Sequence, residues 1–349
     1  MDRLPHDFYH RAEYHLLAEQ RGEGTARLAV YGDIHRFVAW PYLLLPLSSV
    51  EGLESTDLCD VTSVYGYPGP VCLNSDGSGS FLNEAMSAIQ ELWIVQRAVS
   101  IFTRTNPLLG LSLLQNFGTL LPAGQTISVN LSIPLEESAA QIRRGHRYEI
   151  QRGRNAGLVF WHDRQWSRLK EFILLYTEAM GRKGAESRYF FEEPYFAKLR
   201  EISGLATSHL LLVLRGQEVA AGAVFTECRG IVQYHLSAMR EEHRRLGPVK
   251  ILLEGARAWA KSRGNTVLHL GGGHAGAADS LFQFKAGFSR CRHQFFVWRA
   301  VLDRASYDLL AEARARHCTQ HQLVSSCPYF FPQYRQPLEV PEQVCQRGA

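Results

Sequence analysis

Residues 231–302 constrain this chain more than any other stretch. They read strand, basic loop, helix, strand, short helix, strand: IVQYHLSAM, REEHRRLGPV, KILLEGARAWAKSRG, TVLHLGGG, DSLFQFKAGF and CRHQFFVWRAVL. The helix is amphipathic, with Leu252, Leu253, Ala256, Trp259 and Ala260 on one face and Lys250, Glu254, Arg257 and Lys261 on the other. Apolar strands and a helix with one apolar stripe bury their surfaces by layering, so this stretch specifies an α/β structure.

The rest of the chain keeps that rhythm. Residues 26–47 read as two strands around a turn at Gly32–Asp33, 61–73 as an extended segment kinked by Gly and Pro, and 75–80 as a loop. Residues 81–96 have helical spacing, 98–109 form a strand stopped by Asn106–Pro107, and 125–133 form another. Pro134 opens a helix running to about residue 157, acidic at its start and basic later, which suits the helix dipole. A strand at 158–162, helices at 165–180 and 194–203, and a three-strand meander over 209–239 lead into the 231–302 block. A last helix at 303–316 precedes a Pro- and aromatic-containing tail.

At 349 residues the chain is long enough for two domains, and 46% apolar residues supply a core. The longest apolar run, FVAWPYLLLPL at 37–47, is too short to span a bilayer and is split by Pro41 and Pro46. The N-terminus lacks a signal-peptide core, and the seven cysteines are odd in number and widely spaced, with no CxxC. These features lead us to expect a cytoplasmic protein, a monomer, without a disulfide framework. His317, Cys318, His321 and Cys327 match no zinc spacing, so no metal site is expected.

The net charge of +4 conceals an asymmetry. Residues 1–140 hold 7 Arg, no Lys and 15 acidic residues, a balance of −8, whereas the remaining 31 basic and 19 acidic residues give +12. Residues 141–170 alone carry 8 Lys plus Arg against 2 acids, and Arg240, Arg244, Arg245 and Lys250 form a second cluster. A basic half suits a polyanionic partner.

The loop Arg244-Arg245-Leu246-Gly247-Pro248-Val249 before a helix occupies the place of the Q/R-x-x-G-x-G/A loop with which GNAT acyltransferases present backbone N–H groups to the pyrophosphate of coenzyme A. Arg244 and Gly247 fit that pattern. Pro248 removes an N–H, and Val249 puts a side chain where a phosphate would approach. Residues 232–300, through YHLSAMREEHRRLGPVKILLEGARAWAKSRG, HLGGG and DSLFQFKAGFS, resemble the second domain of the FemABX family, peptidyltransferases that use aminoacyl-tRNA. DVTSVYGYPGPV (60–71) and VSIFTRTNPLL (99–109) resemble extended segments of its first domain, and Arg143 to Arg154 its basic helix. No long helical-arm insertion is present.

The resemblance implies two GNAT-like domains, each a mixed, mostly antiparallel sheet flanked by helices. The first would span 1–139, on the acceptor side and joined by the tail 325–349; the second would span 140–324, on the donor side. It implies an aminoacyltransferase that moves an amino acid from aminoacyl-tRNA to an amine, such as a peptidoglycan precursor, a small peptide or a secondary metabolite. No resident cofactor and no DNA are implied. Lys285, in the stretch Phe284-Lys285-x-Gly287, would stabilise the oxyanion of the tetrahedral intermediate or hold the terminal nucleotide. Tyr234 and His235 are candidate proton relays, although strand alternation sends only one of them to any given face. Tyr65, Tyr67, Arg104 and Asn106 would contact the acceptor, Phe284 would be a further substrate-binding residue, and Arg143, Arg147, Arg152, Arg244, Arg245 and Lys250 would contact the tRNA. Two other readings stay open: an acyl-CoA-dependent N-acyltransferase, and a non-catalytic GNAT-like binding subunit. Gly271-Gly272-Gly273 reads as a strand-end bend allowing close backbone approach.

Overall fold

The computed structural model describes residues 5–73, 79–109, 114, 117–327 and 329–339. Its strands are β1 (Thr25–Gly32), β2 (Phe37–Pro46), β3 (Cys59–Thr62), β4 (Val71–Leu73), β5 (Ala98–Arg104), β6 (Thr119–Asn130), β7 (Leu158–Asp163), β8 (Ala206–Arg215), β9 (Glu218–Cys228), β10 (Ile231–Met239), β11 (Val267–Gly272) and β12 (Cys291–Val301), with a short pair at Val324–Ser325 and Leu338–Glu339. The helices are α1 (Ala12–Gln20), α2 (Gly79–Val95), α3 (Leu135–Ala140), α4 (Arg144–Asn155), α5 (Leu169–Arg182), α6 (Glu193–Glu201), α7 (Pro248–Ser262), α8 (Ser280–Ala286) and α9 (Arg304–His321). Among the described residues no helix is long and apolar enough to cross a membrane.

Several elements differ from the sequence reading: β6 begins at Thr119 and not 125, β5 ends at Arg104, and α9 runs on to His321, while three further differences have an identifiable cause. The helix expected over 134–157 is two, because the Arg143 N–H leaves the helical pattern to donate to the Gly287 carbonyl at 2.7 Å. The helix expected from residue 165 begins at Leu169, since Trp166 has φ 53°, outside the helical region. Helix α1 has no counterpart in the reading: its sequence, AEYHLLAEQ, carries little amphipathic contrast. Most of the loop read at 75–80 lies outside the described residues.

The chain packs as two compact units that interleave along the sequence rather than meeting at residue 139/140. One comprises Met1–Leu17, Asn106–Leu109 and Pro122–Phe296; the other comprises Ala18–Thr105, Gly110–Leu121 and Val297–Ala349. The reason is long-range pairing. Tyr9 hydrogen-bonds His235, drawing the N-terminus into the first unit. Val297–Val301 pair with Ser100–Arg104, drawing the end of β12 into the second. Of the tail expected at 325–349, residues 328 and 340–349 lie outside the described residues.

In the first unit the strand order is β6-β11-β10-β9-β8-β7. Every pairing here is antiparallel except β10 with β11, which α7 connects as a crossover. Leu211, Val213, Ala221, Ala223 and Phe225 form one core with Ile251, Leu252, Ala256 and Ala260 of α7. Gly222, between two of these, lies under Phe172 of α5: a Cβ there would sit 2.8 Å from the ring. Strands apolar on both faces are what a sheet with helices on both sides requires. Burial of Phe172 and Leu252, both fully buried, contributes roughly 1.5–3 kcal/mol each.

In the second unit the order is β1-β2-β3-β5-β12, with β4 on β2. Phe81, Ala85, Met86, Ile89 and Trp93 of α2 face inward, as their spacing predicts. Trp40 anchors this core, its ring centroid 5.0 Å from Trp93 and 5.4 Å from Trp298. Buried Asp60 accepts from Ser100 Oγ at 2.7 Å, Tyr334 OH at 2.7 Å and Arg335 Nε at 2.6 Å, fixing residues Gln333–Arg335 of the tail.

Candidate functional site

The site starts from a fork in the first unit. β10 and β11 pair only over Ile231–Gln233 and Val267–His269. Beyond that point β10 continues to Met239 through a register shift at Tyr234/Leu236, and β11 ends at Gly272. A bulge increases local twist, and two strands that part this way leave backbone and side chains lining a gap.

Helix α8 delivers Lys285 to this fork. Asp279 caps the helix, accepting from Phe282 N at 2.8 Å. Lys285 is 8% exposed, and its Nζ donates to the Gly272 carbonyl at 2.6 Å. The same ammonium lies 6.0 Å from the centroid of the Tyr234 ring. A Cβ on Gly272 would stand 2.7 Å from the Gln125 carbonyl, so the bare backbone permits this approach. Burial pushes the Lys285 ammonium down to about 8; Asp279 partly offsets this and Lys183 adds to it. At neutral pH the group is a cation with one N–H engaged and others available. Burial lifts Tyr234 to about 12, so its phenol is a donor and not a base. Phe284, the neighbour of Lys285, packs against His146 at 5.5 Å and Phe288 at 5.6 Å, while His146 Nε2 lies 2.9 Å from its carbonyl.

His235 sits elsewhere. It is buried among Phe8, Tyr9 and Tyr14, with its Nδ1 3.2 Å from Tyr9 OH and its Nε2 3.2 Å from Tyr195 OH. Burial drives it down to about 3. A neutral imidazole holding a tyrosine hydroxyl at each nitrogen is a packing element, and the relay expected of it has no open nitrogen to work with.

Asn106 is buried too, donating through Nδ2 to Asp7 Oδ2 at 3.1 Å and accepting from Leu108 N at 2.9 Å. Asp7 Oδ2 also accepts from Gln233 Nε2 at 2.5 Å, and Gln233 Oε1 meets His269 Nδ1 at 2.6 Å. Burial raises Asp7 to about 6, against lowering by Phe8 N–H, Gln233 and Asn106. The sequence reading missed this network. Gln233 gave the one available signal, a polar residue amid strand apolar residues. In the second unit, Tyr65 is 38% exposed, Tyr67 is partly buried, and Arg104 ends β5 opposite Val297.

The loop before α7 is not an anion cradle. Gly247 takes φ 68°, and Pro248 is the first residue of the helix. Glu149 of α4 lies here: its Oε2 is 3.5 Å from where a Gly247 Cβ would be and accepts from Lys250 Nζ at 2.5 Å. A carboxylate beside a helix N-terminus adds negative charge where an anion would otherwise be favoured. The basic residues around it are largely committed to the protein. Arg244 pairs with Glu241 at 3.0 Å, Arg152 donates to the Arg245 carbonyl, and Arg147 donates to the Ala140 and Ile142 carbonyls at 3.1 and 2.8 Å. Arg143 Nη2 lies 3.4 Å from His146 Nδ1, and Arg245 is exposed.

A family model described as an acetyltransferase (GNAT) domain matches residues 140–285. The fold is similar to the crystal structure of FemX, with TM-score 0.66 and 15% identity over 88% of this chain and 95% of that one. It is also similar to the C-terminal domain (DUF2156) of a putative lysylphosphatidylglycerol synthetase from Agrobacterium fabrum, with TM-score 0.53 and 15% identity over 84% and 89%. L-PGS from Bacillus licheniformis gives TM-score 0.53 and 15% identity over 86% and 95%. No curated protein matches the sequence. The fold is thus FemX-like and of the GNAT type, as the resemblance of residues 232–300 led us to expect.

Proposed function

We propose that this protein of FemX-like GNAT fold transfers an aminoacyl group from aminoacyl-tRNA to an amine, forming an amide. The observation that carries the reading is Lys285, a buried cation held between Gly272 O and the Tyr234 ring at the β10/β11 fork. The neutral amine of the acceptor attacks the ester carbonyl, and negative charge develops on the carbonyl oxygen. The Lys285 ammonium stabilises that charge in a site with little water to screen it. Collapse breaks the C–O bond to the ribose; the amine proton leaves and the ribose oxygen takes up a proton. Tyr234 is a hydrogen-bond donor to the intermediate. Most of the acceleration comes from orientation and charge stabilisation, with no side chain required as a strong base.

The Glu149 carboxylate and Pro248 at the start of α7 support a donor other than an acyl-CoA. Lysylphosphatidylglycerol synthetase, a name borne by one of the similar folds, fits the same class of group transfer. Tyr65, Tyr67 and Arg104 are kept as acceptor contacts and Arg143 and Arg245 as RNA contacts, whereas Arg147, Arg152, Arg244 and Lys250, engaged within the protein, would reach RNA only by exchanging those partners. Asn106 is set aside because it is committed to Asp7.

The test is incubation with a charged total tRNA pool and a panel of amines, with and without RNase, followed by mass spectrometry. Amide product that disappears with RNase supports the reading. If no amino acid leaves tRNA for any amine while acetyl-CoA is consumed, the reading is wrong and the protein is an acyl-CoA transferase.

A further inference from the structure

We propose that a recess at the end of β7, walled by the α6–β8 connection and the residue after α7, is a phosphate-binding site. It encloses about 470 Å³ and is lined by Arg164, Arg200, Arg263, His162, His209 and Thr207 among others, with no acidic residue in its wall. That volume suits a small charged group or a segment of a larger one. It lies at the C-terminal end of α7, whereas the loop beside the fork precedes its N-terminus. A helix of 15 residues is roughly 22 Å long, so the two places are separate.

The charge balance is what singles the recess out. Other arginines of this unit meet a carboxylate, as Arg154 meets Glu254, Arg168 Glu171, Arg240 Glu218 and Arg244 Glu241, whereas the recess brings two that do not to one concave surface. Arg164 and Arg200 are exposed, and among the described residues no ion pair or side-chain hydrogen bond engages either. Two arginines without an ion pair lining one concave surface favour an anion with several oxygens. Guanidinium forks match phosphate in a bidentate manner.

The remaining wall is built in advance. Glu227, behind it, accepts from His209 Nε2 at 2.8 Å, Arg263 Nε at 2.9 Å and Asn265 Nδ2 at 2.6 Å. The rings of His162 and His209 stand 5.4 and 4.8 Å from Trp259, and the Arg263 guanidinium covers it at 5.4 Å. Arg164 is set by a turn in which Trp166 N donates to Asp163 O at 3.1 Å and Arg168 N to Asp163 Oδ2 at 2.7 Å. Burial, His209 and the neighbouring arginines push His162 down to about 4, so it is a neutral partner and the guanidinium groups supply the charge. A phosphate group reaches this recess either on a small phosphorylated molecule or as part of an RNA backbone. The RNA source rests on the proposed donor; the small-molecule source does not.

The test titrates full-length protein with inorganic phosphate and with an uncharged 12-nucleotide RNA, reading tryptophan fluorescence and calorimetry. In R164A/R200A, phosphate affinity is expected to fall at least tenfold, and the salt dependence of RNA binding to drop by about two units of slope. R304A/R316A, which removes two exposed charges on α9, leaves both unchanged. Response to phosphate alone assigns a small ligand, response to RNA alone assigns a backbone, and either supports the site. No saturable binding of either probe, or equal binding by R164A/R200A, overturns it. Loss of tRNA-dependent transfer with phosphate binding intact would count against the donor reading and not against this one.

Discussion

Gln233 and His269 form the last residue pair of the parallel ladder between β10 and β11, and their side chains meet at 2.6 Å across it. The fork therefore opens beyond a buried polar tie, not at a frayed end. Gln233 passes the tie to Asp7 at 2.5 Å, so a residue near the N-terminus sets the place where the strands part.

Gln233→Leu removes one partner each from Asp7 Oδ2 and His269 Nδ1 in a fully buried setting. The loss is about 2–4 kcal/mol, seen as a lower urea midpoint. An unchanged midpoint would show that the network contributes nothing to the fork.

Lys285→Met keeps the volume and removes the charge. Turnover is expected to fall about 10²-fold or more while the far-UV spectrum and midpoint hold. Lys285→Arg restores part of it. In the wild type, activity declines as pH rises through about 8, where the ammonium is lost. Stability from this group runs the other way: its native value lies below the ordinary 10.5, so between pH 8 and 10.5 the unfolded chain holds more protons and folding gains with pH. Opposite trends in activity and stability, both absent in Lys285→Met, identify the group; parallel trends would exclude it.

Acid should unfold this protein early. Burial holds His10, His235 and His269 each down to about 3. Between pH 3 and 6.5 the native state binds fewer protons at each than the unfolded chain does, so their contribution is lost as pH falls through that window. Asp7, raised to about 6, opposes them between pH 4 and 6, where the native state binds the extra proton. These three histidines against one carboxyl give a slope of about 3 kcal/mol per pH unit, at about 1.4 kcal/mol per group, and His15 and His162, both held down to about 4 by burial, act in the same direction. Urea midpoints at pH 7.0 and 5.0 measure it. His235→Gln reduces the slope by about one group's share and leaves the pH profile of turnover in place, because both His235 nitrogens are held by tyrosine hydroxyls. A flat midpoint across this range would contradict the burial assigned to these rings.

Gly153 lets α4 approach the loop before α7. A Cβ there would stand 2.6 Å from the Leu246 carbonyl and 2.7 Å from Ile251 Cδ1. Gly153→Ala gains helix propensity but forces the two elements apart, for a net loss of about 1–3 kcal/mol. A thermal midpoint equal to or above wild type would mean that α4 can shift without cost.

Much of the site was legible because its parts are local. Asp279 caps the helix that carries Lys285 from three residues before the Phe282 N–H it accepts, within one turn of sequence. Pro248 announces a missing N–H wherever it is placed. The helix break at Arg143 could not be read, because its cause is a carbonyl 144 positions away, that of Gly287. The basic residues Arg147, Arg152 and Lys250 looked free for RNA in sequence. In the fold they donate to Ile142, Arg245 and Glu149.

The sequence by itself determined the strand–helix–strand order of residues 231–302, the basic character of the second half, and a loop before α7 short of one N–H. Those properties follow from side-chain periodicity, composition and covalent structure, which need no distant partner. Only the tertiary structure decided that Lys285 is buried against Gly272, that His235 is neutral between Tyr9 and Tyr195, and that Asp7 meets Gln233. A hydrogen bond and a proton affinity depend on what lies within a few ångströms, and Asp7 and Gln233 are 226 residues apart in the chain.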